Sequence, residues 1–170
     1  MKKIILLFLM SSFLSIGFSD NHFPEAFTME ALQCKFTKGN DMDSAKRVIA
    51  QWKDNADKNF SAPYSAWVIT PLYTSKQDVE FDFAWLGFSP DAASMGRTQD
   101  EWQATGAESI GAKWEKVTDC DAQALYGVIE ARAPKNPSKE GQKGYLSVSN
   151  CSFKEGKTGL DLAENDKAWN

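Results

Sequence analysis

Leu32, Cys34 and Phe36 fall on one side of an alternating stretch from about residue 27 to 37, the period of a first strand. Gly39 and Asn40 break it. Beyond them Met42, Ala45, Val48, Ile49, Trp52 and Ala56 recur at helical spacing, with Asp41 or Asp43 placed to cap a helix that should run to about Lys58. Two β-like runs follow, over residues 65–73 and 79–88. In the second, Val79, Phe81, Phe83 and Trp85 alternate with Glu80, Asp82, Ala84 and Leu86. A short connection over 74–78 would set Trp67 opposite Trp85 and Ile69 opposite Phe83 across a hairpin. Pro71 has no N–H to give to a ladder, so the earlier run belongs at a sheet edge.

After this hairpin the pattern turns helical. Ser89 and Pro90 suit a helix start, Thr98 and Glu101 match a capping box, and Gly96 and Gly106 should divide the region into short pieces. Trp102, Ile110, Trp114 and Val117 supply its buried side. Residues 120–132 then alternate as a last strand, with Leu125 and Ile129 opposite Tyr126 and Val128. Strand, helix, strand, strand, helix, strand is the α+β, ferredoxin-like βαββαβ order with an antiparallel sheet, here covering residues 27–133. Its first and fourth strands are neighbours, which would bring Cys34 near Cys120.

Cys34, Phe36, Gly39 and Trp52 recur at identical spacing as Cys151, Phe153, Gly156 and Trp169. The recurrence reads as a tandem duplication whose second copy is cut short, with chance as the alternative. Pro134, Pro137, Gly141 and Gly144 mark a linker over 134–144, and the second copy would then occupy 145–170, with a strand over 145–153 and a helix over 160–169. A tandem pair of such units resembles the dimeric α/β-barrel superfamily, which includes antibiotic-biosynthesis-type monooxygenases. The resemblance rests on element order and duplication. No residue motif of that superfamily is matched, so no functional residue is carried over from it.

Lys2 and Lys3 lead an apolar run, residues 4–18, with Gly17 and Ser19 at the small positions of a cleavage site. Residues 1–19 therefore read as a secretory signal peptide, and the remainder as periplasmic or secreted; a stable membrane anchor is the weaker reading, because the run is short for a span. In an oxidising compartment a disulfide is the default for paired cysteines. Cys34 with Cys120 is favoured and Cys34 with Cys151 competes. The formal charge of −4, with both signs interspersed and no basic stripe, argues against nucleic acid as a partner. With 42% apolar residues, including eleven Phe and six Trp, disorder is not a serious reading.

Candidate chemistry is sparse, and no cofactor motif stands out. His22 is the only histidine and precedes the folded unit, which argues against a histidine triad, a histidine-bound metal or a histidine-ligated haem. Glu80 and Asp82, on one face of a strand, could do acid/base work or sit solvated at the mouth of an unfinished barrel. Asn40, Asp41 and Asp43 resemble the start of a calcium loop but lack its downstream Gly and Glu, so capping is the better reading. Trp52, Trp67, Phe83 and Trp85 would cluster if the hairpin register holds, lining an apolar pocket or packing as core. The leading expectation is thus an exported binder of a small apolar or aromatic molecule. The alternatives are a cofactor-independent oxygenase or isomerase, and a non-catalytic module that self-associates, or pairs with the rest of a second repeat, through its sheet face.

Overall fold

The computed structural model describes residues 26–73, 79–130, 136, 139, 141–159 and 161. The signal peptide expected over residues 1–19 and His22 lie outside them, as do Arg132, Trp169 and most of the helix expected over 160–169. Strand β1, Ala26–Phe36, ends at a turn closed by the Asn40 N–H donating to the Thr37 carbonyl at 3.0 Å, with Gly39 at φ 84°, where a glycine is unstrained. Helix α1, Met42–Asn59, begins where the Asp41 carboxylate accepts the Ser44 N–H at 2.9 Å. Strand β2, Ser65–Ile69, and strand β3, Phe83–Ser89, follow. Helix α2, Ala92–Thr105, passes through a π-helical turn, Ala107–Gly111, into helix α3, Ala112–Val117, and strand β4, Thr118–Ile129, completes the unit.

The four strands form one antiparallel sheet in the order β2-β3-β1-β4. This is the ferredoxin-like arrangement, with β2 at an edge. Cys34 pairs directly with Cys120 across β1 and β4, and the two form a disulfide that closes 86 residues of chain. Cys151 is a free, exposed thiol. Phe83, Trp85, Ala45, Val48 and Met95 are buried with Cys34 between sheet and helices.

The hairpin departs from its expected register. Trp67 lies opposite Leu86, Val68 opposite Trp85 and Ile69 opposite Ala84, one residue from the expected pairing. Because side chains alternate along a strand, that single step sends Trp67 to the face away from Trp85 and Phe83. The strands are also shorter than expected. The connection runs from Thr70 to Asp82, so no tight turn dictates the register, and burial of Phe83, Trp85, Gly87 and Ser89 on the helix side of β3 decides it instead. Pro71 lies just past β2 rather than within it.

Helix α2 differs in its start. Asp91 is the cap, accepting the Ser94 N–H at 2.7 Å, and the helix continues through Gly96, Thr98 and Glu101. Thr98 is buried and donates its hydroxyl to the Met95 carbonyl at 2.8 Å, so it makes no capping box with Glu101. The break comes at Gly106.

Residues 142–154 make no strand ladder, and Tyr145 and Val148 are 92% and 77% exposed. The turn after them matches the turn after β1 position for position. The Lys157 N–H donates to the Lys154 carbonyl at 2.9 Å and Gly156 has φ 70°, as at Asn40, Thr37 and Gly39, while the Thr158 N–H donates to the Asp161 carboxylate at 2.9 Å, the reverse of the Ser44-to-Asp41 bond at α1. Thr158 and Gly159 stand where Asp41 and Met42 stand after β1.

Cross-linking residues 86 apart removes about 4.6 kcal/mol of unfolded-chain entropy. Urea unfolding of a Cys34→Ser, Cys120→Ser double variant should show a stability loss of about that size, and reduction of the wild type should reproduce it. A loss below about 1 kcal/mol would show that the sheet holds β1 against β4 without the bond.

Candidate functional site

A cavity of about 290 Å³ lies between the sheet and the helices. Its floor is Glu30 and Leu32 from β1 and Trp85 from β3. Val48, Ile49 and Trp52 of α1 form one wall, and Thr98, Gln99 and Trp102 of α2 form another. Ile110 of the π-helical turn and Trp114 of α3 close the end nearest β4, while Phe60 and Tyr64 from the α1–β2 loop close the opposite end. The volume is at the small end of ligand pockets and would take a compact ring system.

Each wall is placed by a local device. Thr98, Gln99 and Trp102 share one face of α2 at helical spacing. The Phe60 N–H donates to the Ala56 carbonyl at 2.9 Å, ending α1 and turning the loop toward α2. The Ser61 N–H then donates to Glu101 of α2 at 2.9 Å, and this tie fixes the loop that carries Tyr64. Hydrogen bonds from the Ser61 hydroxyl and N–H hold the exposed Glu101 carboxyl below the usual carboxylate range.

The polar centre is Glu30, 5% exposed in the middle of β1. The Tyr64 hydroxyl donates to one of its oxygens, and the Gln99 amide donates to the other at 2.9 Å. Trp85 Nε1–H in turn donates to the Tyr64 oxygen at 2.9 Å, so the phenol relays from the tryptophan to the carboxylate. Burial first, and then the charge of Glu30, push the Tyr64 hydroxyl far above the ordinary tyrosine range, so it stays a donor at all physiological pH values. Gly87 makes this arrangement fit. A Cβ there would overlap the Tyr64 hydroxyl and come within 2.8 Å of Glu30 Oε1.

Of the residues expected to meet at a site, Trp52 and Trp85 do so, with ring centroids 4.7 Å apart in an edge-to-face pair. Phe83 is fully buried beneath them, stacked on Phe36 and edge-on to Trp114, as core rather than lining. Trp67 is 42% exposed on the opposite sheet face. Glu80 and Asp82 precede β3 and are exposed, so they form no acidic pair on a strand. Asp82 accepts the Phe36 N–H at 2.8 Å and finishes the β1–β3 ladder. Asp41 caps α1, and Asn40 donates its side-chain amide to the Thr37 hydroxyl at 2.8 Å. Among the described residues no group of three or more His, Cys, Asp or Glu is placed to hold a metal ion.

Glu30, Tyr64 and Gln99 are not among the candidates read from the sequence. Glu30 did leave a signal, since it precedes Leu32 and Cys34 at the strand period and so occupies a core-facing position with a carboxylate. Gln99 lies at helical spacing from Met95 and Trp102. Tyr64, in a loop, leaves none.

No family model and no curated protein matches this chain. Among similar solved structures is that of a protein described as "Putative Chlorite dismutase TA0507", at 11% identity and a TM-score of 0.38 over 60% of this chain. The match spans 42% of that protein's chain. A likeness at that level says nothing about the chemistry of the cavity.

Gly87→Ala should expel the Tyr64 hydroxyl from its place beside Glu30, costing about 1–3 kcal/mol by overpacking and moving the tryptophan emission. Unchanged stability and emission would mean the loop yields freely. Tyr64 also predicts an alkaline response. Its folded state holds the proton more tightly than the unfolded state, so its contribution is complete below about pH 10 and is lost as pH rises above that value. Stability measured from pH 8 to 11 should fall less steeply in Tyr64→Phe than in the wild type, and identical slopes would contradict the assignment.

Proposed function

We propose that the protein binds a small apolar or aromatic molecule in the cavity between its helices and sheet. The observation that carries this reading is a cavity of about 290 Å³ whose lining brings Trp52, Trp85, Trp102 and Trp114 together beside the hydrogen-bonded Glu30, Tyr64 and Gln99. A core of this composition that served packing alone would close on itself, because interiors fill to near-crystal density. The disulfide fits a site of action outside the cytoplasm, in the periplasm or beyond. Among the described residues no helix is long and apolar enough to cross a membrane.

Naphthalene titrated into the protein should shift the indole N–H resonances of Trp85 and Trp102 while leaving that of Trp67, on the far face of the sheet, unmoved. Trp102→Ala should weaken the binding about tenfold. Shifts confined to Trp67, or none, would refute the reading.

A second reading, self-association, is favoured by the other sheet face. Phe27, Met29 and Ala31 of β1 share it by alternation with Trp67, Leu86, Phe88 and Tyr126, and Phe27, Trp67 and Tyr126 are 41%, 42% and 50% exposed. None of these side chains is charged. A patch of this kind suits the same patch on a second copy of the chain, since sheet-on-sheet packing about a two-fold axis is self-complementary. The repeated turn at residues 154–157 supports the related idea that a second unit of this type opens there. Sedimentation should show a concentration-dependent dimer that Trp67→Glu abolishes, whereas a monomer at millimolar concentration would exclude pairing through this face.

A further inference from the structure

Glu30 gives the cavity a charge that the surrounding residues leave unanswered. Its partners, the Tyr64 hydroxyl and the Gln99 amide, are neutral donors. None of the lining residues is Lys, Arg or His, and Glu30 forms no ion pair among the described residues. A carboxylate can accept about four hydrogen bonds, so two donors leave part of its capacity open. A charge held in such surroundings is costly unless an opposite charge meets it.

The walls point the same way. Trp52, Tyr64, Trp85, Trp102 and Trp114 all line the space beside this carboxylate. Aromatic rings carry negative charge on their faces and attract cations, most strongly where water is excluded. An anion would meet a like charge here and no cationic group. We infer that the cavity takes a small organic cation, an alkylammonium or arylalkylammonium, with its nitrogen toward Glu30 and its hydrocarbon part among the tryptophans. This rests on the cavity being the binding site proposed above, and it adds the sign and the chemical class of the ligand.

The test compares two probes of one shape, benzyltrimethylammonium and the uncharged neopentylbenzene, titrated into the full chain and followed by the tryptophan indole resonances. The cation should bind at least tenfold more tightly. Glu30→Gln should weaken the cation at least tenfold more than it weakens neopentylbenzene. Equal affinity of the wild type for both probes would overturn the inference while leaving an apolar binding cavity intact. Failure of both to bind would overturn the inference and the cavity reading together. If Glu30→Gln loses the dispersion of a folded spectrum, the wild type still decides with phenylacetate as a third probe. That anion must bind at least tenfold more weakly than the cation, and equal or tighter binding refutes the proposal.

Discussion

Strand β1 holds the centre of the sheet, with β3 on one side and β4 on the other, and its alternation decides what each face of the protein can be. Glu30, Leu32 and Cys34 turn toward the helices, while Met29 and Ala31 turn away. The disulfide fixes Cys34 against Cys120 at the end of β1 nearest the helix connections. A slip of one residue along this strand would move the carboxylate to the open face and bring Met29 and Ala31 under the helices. The cavity and the bare apolar face are therefore two consequences of one register.

The site joins elements that are distant in sequence. Glu30 comes from β1, Tyr64 from the loop after α1, Trp85 and Gly87 from β3, and Gln99 from α2. Burying a carboxylate among indole rings is tolerable only where donors reach both oxygens, and Tyr64 and Gln99 do so from opposite sides. Tyr64 can serve because Ser61 is tied to Glu101 and because Gly87 has no side chain to compete for its place. Ion pairs elsewhere, such as Lys46 with Asp43 and Lys53 with Asp57, are exposed neighbours on α1 and contribute little to this framework.

Much of the fold was legible because its signals are local. The stripe of Met42, Ala45, Val48 and Trp52 gives α1, and the alternation around Leu32 and Cys34 gives β1. The order of elements then gives the topology, and with it the disulfide, since β1 and β4 must be neighbours. The errors share a cause. Register between β2 and β3 depends on a connection too long to impose a turn, so Trp67 was placed on the wrong face. The start of α2 turned on whether Ser89 or Asp91 reached a free N–H, and Ser89 was already buried at the end of β3.

By itself the sequence determined the periods of its strands and helices, their order, and hence the ferredoxin-like sheet, because those depend on near neighbours along the chain and on side-chain size and polarity. It also held the anomaly of a glutamate at a core-facing position of β1. Only the tertiary structure decided what that anomaly means. Whether a buried carboxylate is neutralised, ion-paired or left with neutral donors depends on which side chains of other elements come within about 3 Å of its oxygens, and no local pattern encodes that distance.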